Sequence, residues 1–317
     1  MPIISAEGVS CSLGGRKVLE NFSLEVEEGE IVGLLGPSGC GKSTFMNLCI
    51  GFLQAGGGAL SVLGRLPAKG RLDVGFATQY DSFYEELTVW ENIDYFGKLS
   101  DLSGEQVRES ASALLPAMDL AGFEKRLAGQ LSGGQKRRLN LLLSLLSKPK
   151  LLLVDEPTVG LDPVTRKSIW ELLFQLKSSG VTILLTTHYM FEAEALCDRI
   201  AIMDRGGVAA AGSVEELRAR FVPDELVYLV TRPGNPRVLK ELEQHLLRQN
   251  VAESMVSDAK GNIITTHTPA KAIAGISAFL RKTGESIVFM DVEKPSFERV
   301  FFLATRQSGE QLAEKEK

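Results

Sequence analysis

The chain is poor in the side chains that build metal and disulfide sites. It contains three histidines and four cysteines in 317 residues, and the cysteines at positions 11, 40, 49 and 197 show no metal-ligand spacing. A disulfide framework is not indicated either. We therefore expect free thiols in a reducing, cytosolic setting.

Long apolar runs are also missing. The longest, such as residues 181–185, have the length of a strand, whereas a membrane helix needs about 20 apolar residues. The N-terminal segment MPIISAEGVS has no basic region followed by an apolar one, so we expect no signal peptide. If the protein serves a membrane, we expect it to act from outside the bilayer.

The charge balance argues against one class of partner. The formal net charge is −5 at pH 7, whereas a dedicated nucleic-acid binder carries a basic surface. We therefore expect no nucleic-acid partner. The hydrophobic content of 44% is typical of a globular protein, and 317 residues allow one large domain and a smaller one.

The pattern of strands and helices predicts two domains. Short apolar runs alternate with helical segments over residues 1–220, which indicates a parallel sheet covered by helices. A helical stretch at about 84–150 interrupts this alternation and predicts an inserted subdomain. Residues 221–306 follow the order β-α-β-β-α-β, which is that of a ferredoxin-like α+β domain. Residues 307–317 form a polar tail.

A glycine-rich loop lies between a predicted strand and a predicted helix. It fits the pattern GxxxxGK[ST] in the context that a phosphate-binding loop requires. Its backbone N–H groups can hold a β-phosphate, Lys42 can reach the β- and γ-phosphates, and the Ser43 hydroxyl can bind Mg²⁺. The loop consists of Gly36, Pro37, Ser38, Gly39, Cys40, Gly41, Lys42, Ser43 and Thr44.

Two acidic residues follow the apolar run at residues 151–154. If that run is a buried strand, it delivers both carboxylates to the edge of the sheet where ligands bind. We assign Asp155 to the Mg²⁺ ion and Glu156 to the attacking water as general base. The alternative is a pair of surface acids at a strand end.

Gln79 and His188 also come at or just after predicted strands. The amide of Gln79 can contact metal or water without carrying charge, although an exposed glutamine is the plain alternative. The imidazole of His188 can contact a γ-phosphate. Both are therefore candidates for the same nucleotide site.

A second glycine-rich motif, LSGGQ, occupies residues 131–135 at the start of a predicted helix. A helix N-terminus presents N–H groups and the positive end of the helix dipole, so it suits an anion. One chain therefore carries two surfaces for phosphate. Either both contact the same nucleotide, or each needs a partner chain.

These motifs, in this order and spacing, resemble the nucleotide-binding domain of ATP-binding cassette (ABC) transporters. The resemblance covers roughly residues 3–220. It implies a P-loop NTPase fold with a RecA-like core sheet, an antiparallel β edge and an inserted helical subdomain. It also implies an ATPase that uses ATP and Mg²⁺. Residues 158–163 and 188–190 look like the exporter-type ATPases.

The resemblance assigns a role to each motif. Residues 36–44 become the Walker A loop, Gln79 the Q-loop residue that senses the metal, and Asp155 and Glu156 the Walker B pair. Asp162 belongs to the D-loop, and His188 is the switch histidine. In this family two domains enclose two ATP molecules head to tail, so the signature residues Ser132, Gly133, Gly134 and Gln135 contact the nucleotide held by the other chain.

The same resemblance implies partners and location. A second nucleotide-binding domain must come from another copy or a paralogous chain, and separate integral membrane permease subunits carry the substrate. The protein is then peripheral on the inner face of the cell membrane. The alternative is a soluble ABC ATPase of translation or DNA repair, although such proteins usually carry two cassettes or a long coiled-coil insertion.

Two regions leave alternatives open. At the position of Leu13, members of the family commonly have an aromatic residue that stacks on adenine. Leu13 and Val18 offer apolar contact alone, so the choice between ATP and GTP stays open. The segment after Gln79 corresponds to the groove for the membrane partner. Its apolar residues are either part of that groove or part of the helical core: Phe83, Tyr84, Leu87 and Trp90.

Overall fold

The computed structural model describes most of the chain in two compact units. One unit comprises residues 1–214 with 304–317, and the other comprises residues 215–303. The sequence predicts the second domain at residues 221–306. The described residues are 2–67, 73–222, 224–258, 261–294 and 296–315, with the backbone alone described for 258 and 307–315.

The first unit is built on a sheet with the strand order β5-β6-β7-β3-β8-β9. All neighbours are parallel except β8 and β9. Strands β3, β6 and β7 are buried along their whole length, which explains their unbroken apolar sequences. The strands are β3 (Ile31–Leu35), β5 (Val74–Ala77), β6 (Leu151–Asp155), β7 (Thr182–Thr187), β8 (Arg199–Asp204) and β9 (Gly207–Gly212).

A smaller antiparallel sheet lies beside the first helix. Its strands are β1 (Ile4–Leu13), β2 (Arg16–Val26) and β4 (Gly57–Val62), in the order β2-β1-β4. The rings of Phe22 on β2 and Phe45 on α1 (Lys42–Cys49) are 4.4 Å apart in the shared core. The expected α/β class with an antiparallel β portion is therefore confirmed.

Helices cover the parallel sheet and form the insertion between β5 and β6. Those of the insertion each begin with a serine or threonine capping box, which satisfies N–H groups that the first turn leaves unpaired. They are α2 (Val89–Leu99), α3 (Gly104–Ala117) and α4 (Gly133–Leu145). The later helices of this unit are α5 (Pro163–Ser178) and α6 (Met190–Leu196).

Helix α4 lies directly on β5 because Gly75 has no side chain. A Cβ atom at Gly75 would lie 2.2 Å from the backbone oxygen of Ser144. The signature motif begins this helix, and Gln79 follows this strand. The close approach therefore packs the helix that begins with the signature motif against the strand that leads to Gln79.

The second unit has its own sheet, with the order β11-β12-β10-β13 and antiparallel neighbours throughout. Helices α8 and α9 supply Leu242, Leu246 and Ile276 to its core. Along the chain the elements are α7 (Val214–Phe221), β10 (Glu225–Arg232), α8 (Pro236–Arg248), β11 (Ser254–Asp258), β12 (Gly261–Thr266), α9 (Pro269–Thr283), β13 (Ser286–Glu293) and α10 (Phe297–Lys315).

The last helix, α10, runs to Lys315, past the point where the sequence predicts the polar tail to begin. None of the helices among the described residues is long and apolar enough to cross a lipid bilayer.

Candidate functional site

The phosphate loop connects the middle of the parallel sheet to α1. The N–H of Gly36 donates to the carbonyl of Thr187 at 3.4 Å, which attaches the start of the loop to β7. Gly41 has a φ of 109°, and a Cβ atom there would lie 2.6 Å from Leu19 Cδ2. Glycine is therefore required at this position both by the backbone conformation and by the packing of β2.

The side chain of Lys42 extends back to the first residues of the phosphate loop. Its ammonium donates to the carbonyl oxygens of Gly36 at 2.7 Å and Pro37 at 3.1 Å, and the residue is 5% exposed. The N-terminus of α1 has no side-chain cap. Pro37, Ser38, Gly39 and Ser43 are exposed, Thr44 is half-buried, and Cys40 is buried. Burial raises the pKa of the Cys40 thiol, so it stays protonated at neutral pH.

The two acids end β6, next to β7. Asp155 is buried, and its carboxylate accepts a hydrogen bond from the Thr186 hydroxyl. Glu156 has a φ of 48°, in the left-handed region that residues other than glycine seldom adopt. Its N–H donates to the Thr186 hydroxyl at 3.0 Å. A single threonine therefore orients both acids.

His188 follows β7 and lies against the second of these acids. Its Nδ1 is 2.9 Å from Oε2 of Glu156, and its side chain is 35% exposed. The other ring nitrogen, Nε2, is on the opposite side of the imidazole. The structure therefore brings together the residues predicted as general base and switch histidine.

The backbone segments at Glu156 and at Gln79 are both held by a residue that the sequence analysis did not identify. Arg137, buried on α4, donates to the carbonyls of Asp155 at 2.7 Å and Pro157 at 2.9 Å. It also donates to those of Thr78 at 2.5 Å and Gln79 at 3.4 Å. The side chain of Gln79 is exposed beside these contacts.

A buried glutamate is a second residue without a signal in the sequence. Glu192 on α6 accepts hydrogen bonds from the hydroxyls of Thr158 at 2.7 Å and Thr187 at 2.6 Å. It also accepts one from the indole of Trp170 at 3.1 Å. These contacts join the segments that follow β6 and β7. Arg137 and Glu192 both act through contacts between distant parts of the chain, so no local motif marks them.

The signature motif forms the exposed start of α4. Ser132 accepts a hydrogen bond from the N–H of Gln135, and the Gln135 side chain accepts one from the N–H of Ser132. Because the Ser132 oxygen accepts from the helix, its own proton can be donated outward to an anion. Gly133 is exposed, whereas a Cβ atom at Gly134 would lie 2.6 Å from Thr165 Cγ2.

The remaining predicted residues, Asp162, Leu13 and Val18, lie on three other elements or their ends. Asp162 caps α5 by accepting from the N–H groups of Val164 and Thr165, both at 3.0 Å. Hydrogen bonds from Thr165 lower the pKa of Asp162. Leu13 ends β1 and is 41% exposed. The Val18 carbonyl lies against the phosphate loop, 3.1 Å from where a Cβ atom of Gly41 would be.

The donors available for a metal ion are all oxygen atoms. The hydroxyl of Ser43, the carboxylate of Asp155 and the amide oxygen of Gln79 are hard ligands, which suit Mg²⁺ better than a softer metal. Asp155 ends β6, Gln79 comes two residues after β5, and Ser43 lies in the first turn of the helix after the loop that follows β3. The donor set therefore fits the expected ion.

Comparison with known proteins agrees with this geometry. The family model "ABC transporter" matches residues 19–159. The chain is 33% identical over 318 residues to the daunorubicin resistance ATP-binding protein DrrA2 of Streptomyces coeruleorubidus, covering 99% of this chain and 98% of that one. It is 32% identical over 307 residues to the linearmycin resistance ATP-binding protein LnrL of Bacillus subtilis, covering 96% and 98%.

A third relative is the Nod factor export ATP-binding protein I of a Rhizobium species (strain N33), 40% identical over 243 residues, which covers 75% of this chain and 79% of the relative. Among solved structures, the ATP-binding subunit of an ABC transporter shares 30% identity with a TM-score of 0.63, and covers 69% of this chain and 93% of that one. The chain belongs to the ABC transporter ATP-binding subunits. It binds ATP and is an ATPase.

In this ABC ATPase the segment after Gln79 divides between core and surface. Phe83 is 8% exposed and is part of the core, whereas Tyr84 is 47% exposed. Leu87 and Trp90 are half-buried. Of the apolar residues left between groove and core, Tyr84 therefore contributes most to the surface.

Proposed function

We propose that the chain is one of two cassettes that hydrolyse ATP to drive export through separate membrane subunits. The observation that carries this proposal is the Glu156–His188 pair, 2.9 Å apart, which follows the buried Asp155 at the carboxyl edge of the sheet. Glu156 takes a proton from the attacking water, and Nε2 of His188 contacts the γ-phosphate. The backbone of the phosphate loop and Lys42 hold the phosphates.

Magnesium fits the site as a second component. Ser43, Asp155 and Gln79 would hold the ion, which would neutralise charge on the phosphates. The hydrogen bond from Thr186 to Asp155 supports this role because it orients the carboxylate.

The signature motif supports a pair of cassettes arranged head to tail. Its residues start α4 at the surface, and the outward proton of Ser132 is suited to a γ-phosphate oxygen. In the proposed dimer, Ser132 to Gln135 and the segment at Asp162 contact the ATP bound to the other chain. The partner is a second copy or a paralogous cassette.

The surface near Gln79 supports docking of a membrane subunit. Val74 and Phe76 on β5, with Ile50 and Phe52, line a cleft, and β5 leads directly to Gln79. Phe52 is 75% exposed and Tyr80 is 78% exposed. We place the protein on the inner face of the cell membrane, with this surface against the membrane subunit. Export is favoured because relatives are named for resistance and for Nod factor export.

The second unit, residues 215–303 with the β-α-β-β-α-β element order, is proposed to be the accessory domain that the sequence predicts at 221–306, ahead of the polar tail at 307–317. It lies outside the residues matched by the family model. The proposed ATP site needs none of its residues.

Replacing Glu156 with glutamine tests the proposal. Glu156→Gln removes the base but keeps the side-chain shape, so ATP should still bind while hydrolysis falls by at least about a hundredfold. The measurements are phosphate release and ATP binding by calorimetry on the full chain. Turnover at the wild-type rate would reject Glu156 as the base. Glu171→Gln, on α5, is a control for loss of one carboxylate.

A further inference from the structure

Arg137, on the signature helix α4, contacts both the chain segment that carries Gln79 and the one that carries Glu156. Arg137 lies two residues after Gln135. Its guanidinium donates to the carbonyls of Asp155 and Pro157, the residues on either side of Glu156. Its Nε donates to Pro157, its Nη2 to Asp155 and its Nη1 to Thr78. A lysine ammonium presents all its protons from one atom, so it cannot occupy these three separate donor positions as the rigid guanidinium fork does. The contact therefore depends on arginine and not on positive charge alone.

The same guanidinium holds the Q-loop. One nitrogen donates to Thr78 at 2.5 Å and to Gln79 at 3.4 Å, and the amide of Asn140, one helical turn later, donates to Thr78 at 2.9 Å and Tyr80 at 3.2 Å. The absence of a side chain at Gly75 lets α4 approach closely enough for these bonds. The chain segments that carry Gln79 and Glu156 are thereby fixed to one helix.

The backbone at Glu156 needs such support. A left-handed conformation at a residue other than glycine is strained and persists only where neighbouring contacts impose it. Thr186 holds the N–H of Glu156, and Arg137 holds the carbonyls of the neighbouring residues Asp155 and Pro157. Burial lowers the pKa of Arg137 while the Asp155 carboxylate raises it, and the guanidinium remains charged.

We propose that Arg137 is a positioning residue for hydrolysis: it fixes the backbone of Glu156 and of Gln79 to the helix that begins with the signature motif. Asn140 supports the Q-loop half of this arrangement. The proposal rests on Glu156 being the base. It adds that the signature helix, which in the proposed dimer contacts the nucleotide of the other chain, also sets the geometry of its own chain's catalytic carboxylate.

The test compares Arg137→Lys with Arg138→Lys in the full chain. Arg138 is the next residue on α4, but it contacts Asp119, the Met118 carbonyl at 3.1 Å and Ser168 at 3.0 Å, away from the catalytic strands. Arg137→Lys should lower kcat at least about tenfold, because a small displacement of the base has a large effect on rate. The Kd for ATP, measured by calorimetry, should change by less than about twofold because Lys42 and its loop are untouched.

The control Arg138→Lys should leave kcat and Kd within about twofold of wild type. The rate is expressed per ATP-binding site, so a loss of folded protein does not count as a loss of kcat. Equal losses of kcat in both lysine variants, or kcat within twofold of wild type in Arg137→Lys, would overturn the proposal.

A second variant covers the case in which Arg137→Lys does not fold. Asn140→Ala removes two bonds to the Q-loop and should lower kcat by about threefold to tenfold at unchanged Kd. Insolubility of both variants would mean that the pair serves folding alone, which also overturns the proposal. Hydrolysis by the wild type and its loss in Glu156→Gln test the base separately from Arg137.

Discussion

At the scale of single residues, the catalytic edge depends on a few buried side chains that orient exposed ones. Thr186 donates to Asp155 and accepts from the N–H of Glu156. Glu192 gathers three donors from segments next to the site. A buried carboxylate with three hydrogen bonds loses little of its solvation. These residues hold the backbone and side chains of the edge in place through hydrogen bonds within the protein.

We expect Leu13 to be a position at which base recognition can be changed. Leu13→Tyr adds a ring at a residue that is 41% exposed at the end of β1. Stacking on adenine should tighten ATP binding by about 0.5–1.5 kcal/mol. Calorimetry with ATP and GTP measures the change. Leu99→Tyr, at the exposed end of α2, is the control and should leave both affinities unchanged. Unchanged or weaker ATP binding by Leu13→Tyr would remove Leu13 from the base site.

The sequence marks the proposed ligand-binding residues more clearly than the residues that support them. Lys42, Asp155 and His188 occur in motifs whose spacing is local to a strand and the turn after it. Arg137 and Glu192 bond to backbone and side chains of segments that are far away in sequence. Their roles follow from tertiary packing, and a single sequence contains no periodic signal for them.

At the scale of elements, the buried parallel strands and the capped helices are the most predictable. Strands β3, β6 and β7 are unbroken apolar runs, and α5 begins at Pro163 after the capping Asp162. The pairing of β1, β2 and β4 was harder to predict because their exposed and buried residues alternate with irregularities in register. The short antiparallel strand β9 contains mostly glycine and alanine, which have low strand propensity.

The packing of α4 on β5 can be tested at Gly75. Gly75→Ala places a methyl group 2.2 Å from the Ser144 backbone oxygen, so the helix must move away from the strand. We expect the free energy of unfolding to fall by about 1–3 kcal/mol, as in other overpacked cores. Kcat should fall as well, because Arg137 moves with the helix. Denaturation with and without ATP and the hydrolysis rate are the measurements.

The control for Gly75 is Gly104, the first residue of α3, where a Cβ atom would meet nothing within 4 Å. Gly104→Ala should be neutral or slightly stabilising, since alanine favours a helix over glycine by about 1 kcal/mol. If Gly75→Ala is as stable and as active as Gly104→Ala, then the close approach of α4 and β5 is not needed for the site.

At the scale of the whole molecule, the proposed nucleotide site divides its work between chains. In the proposed dimer, the phosphate loop, Asp155 and Glu156 would act on the ATP of their own chain, and residues 131–135 would act on that of the other. Because Arg137 connects the signature helix to Glu156, each chain would join one site to the other through a single helix. ATP hydrolysis would then depend on a closed dimer.

The start of α4 offers a test of the dimer that does not disturb folding. Gly133 and Gly104 each follow a capping serine, each precede a glutamine that completes the box, and each have open space at the Cβ position. Aspartate in a first turn favours a helix through its dipole by about 0.3–1 kcal/mol. Gly133→Asp should therefore fold normally but repel the γ-phosphate held by the other chain.

The measurement is the molar mass of the Glu156→Gln chain with ATP, by light scattering. Glu156→Gln should dimerise with ATP, Glu156→Gln with Gly104→Asp should do the same, and Glu156→Gln with Gly133→Asp should stay monomeric. The Kd for ATP of that monomer should remain within about twofold of the parent, because its own phosphate loop is intact. If Gly133→Asp instead weakens ATP binding to the monomer, the two phosphate surfaces meet within one chain and the head-to-tail arrangement is wrong.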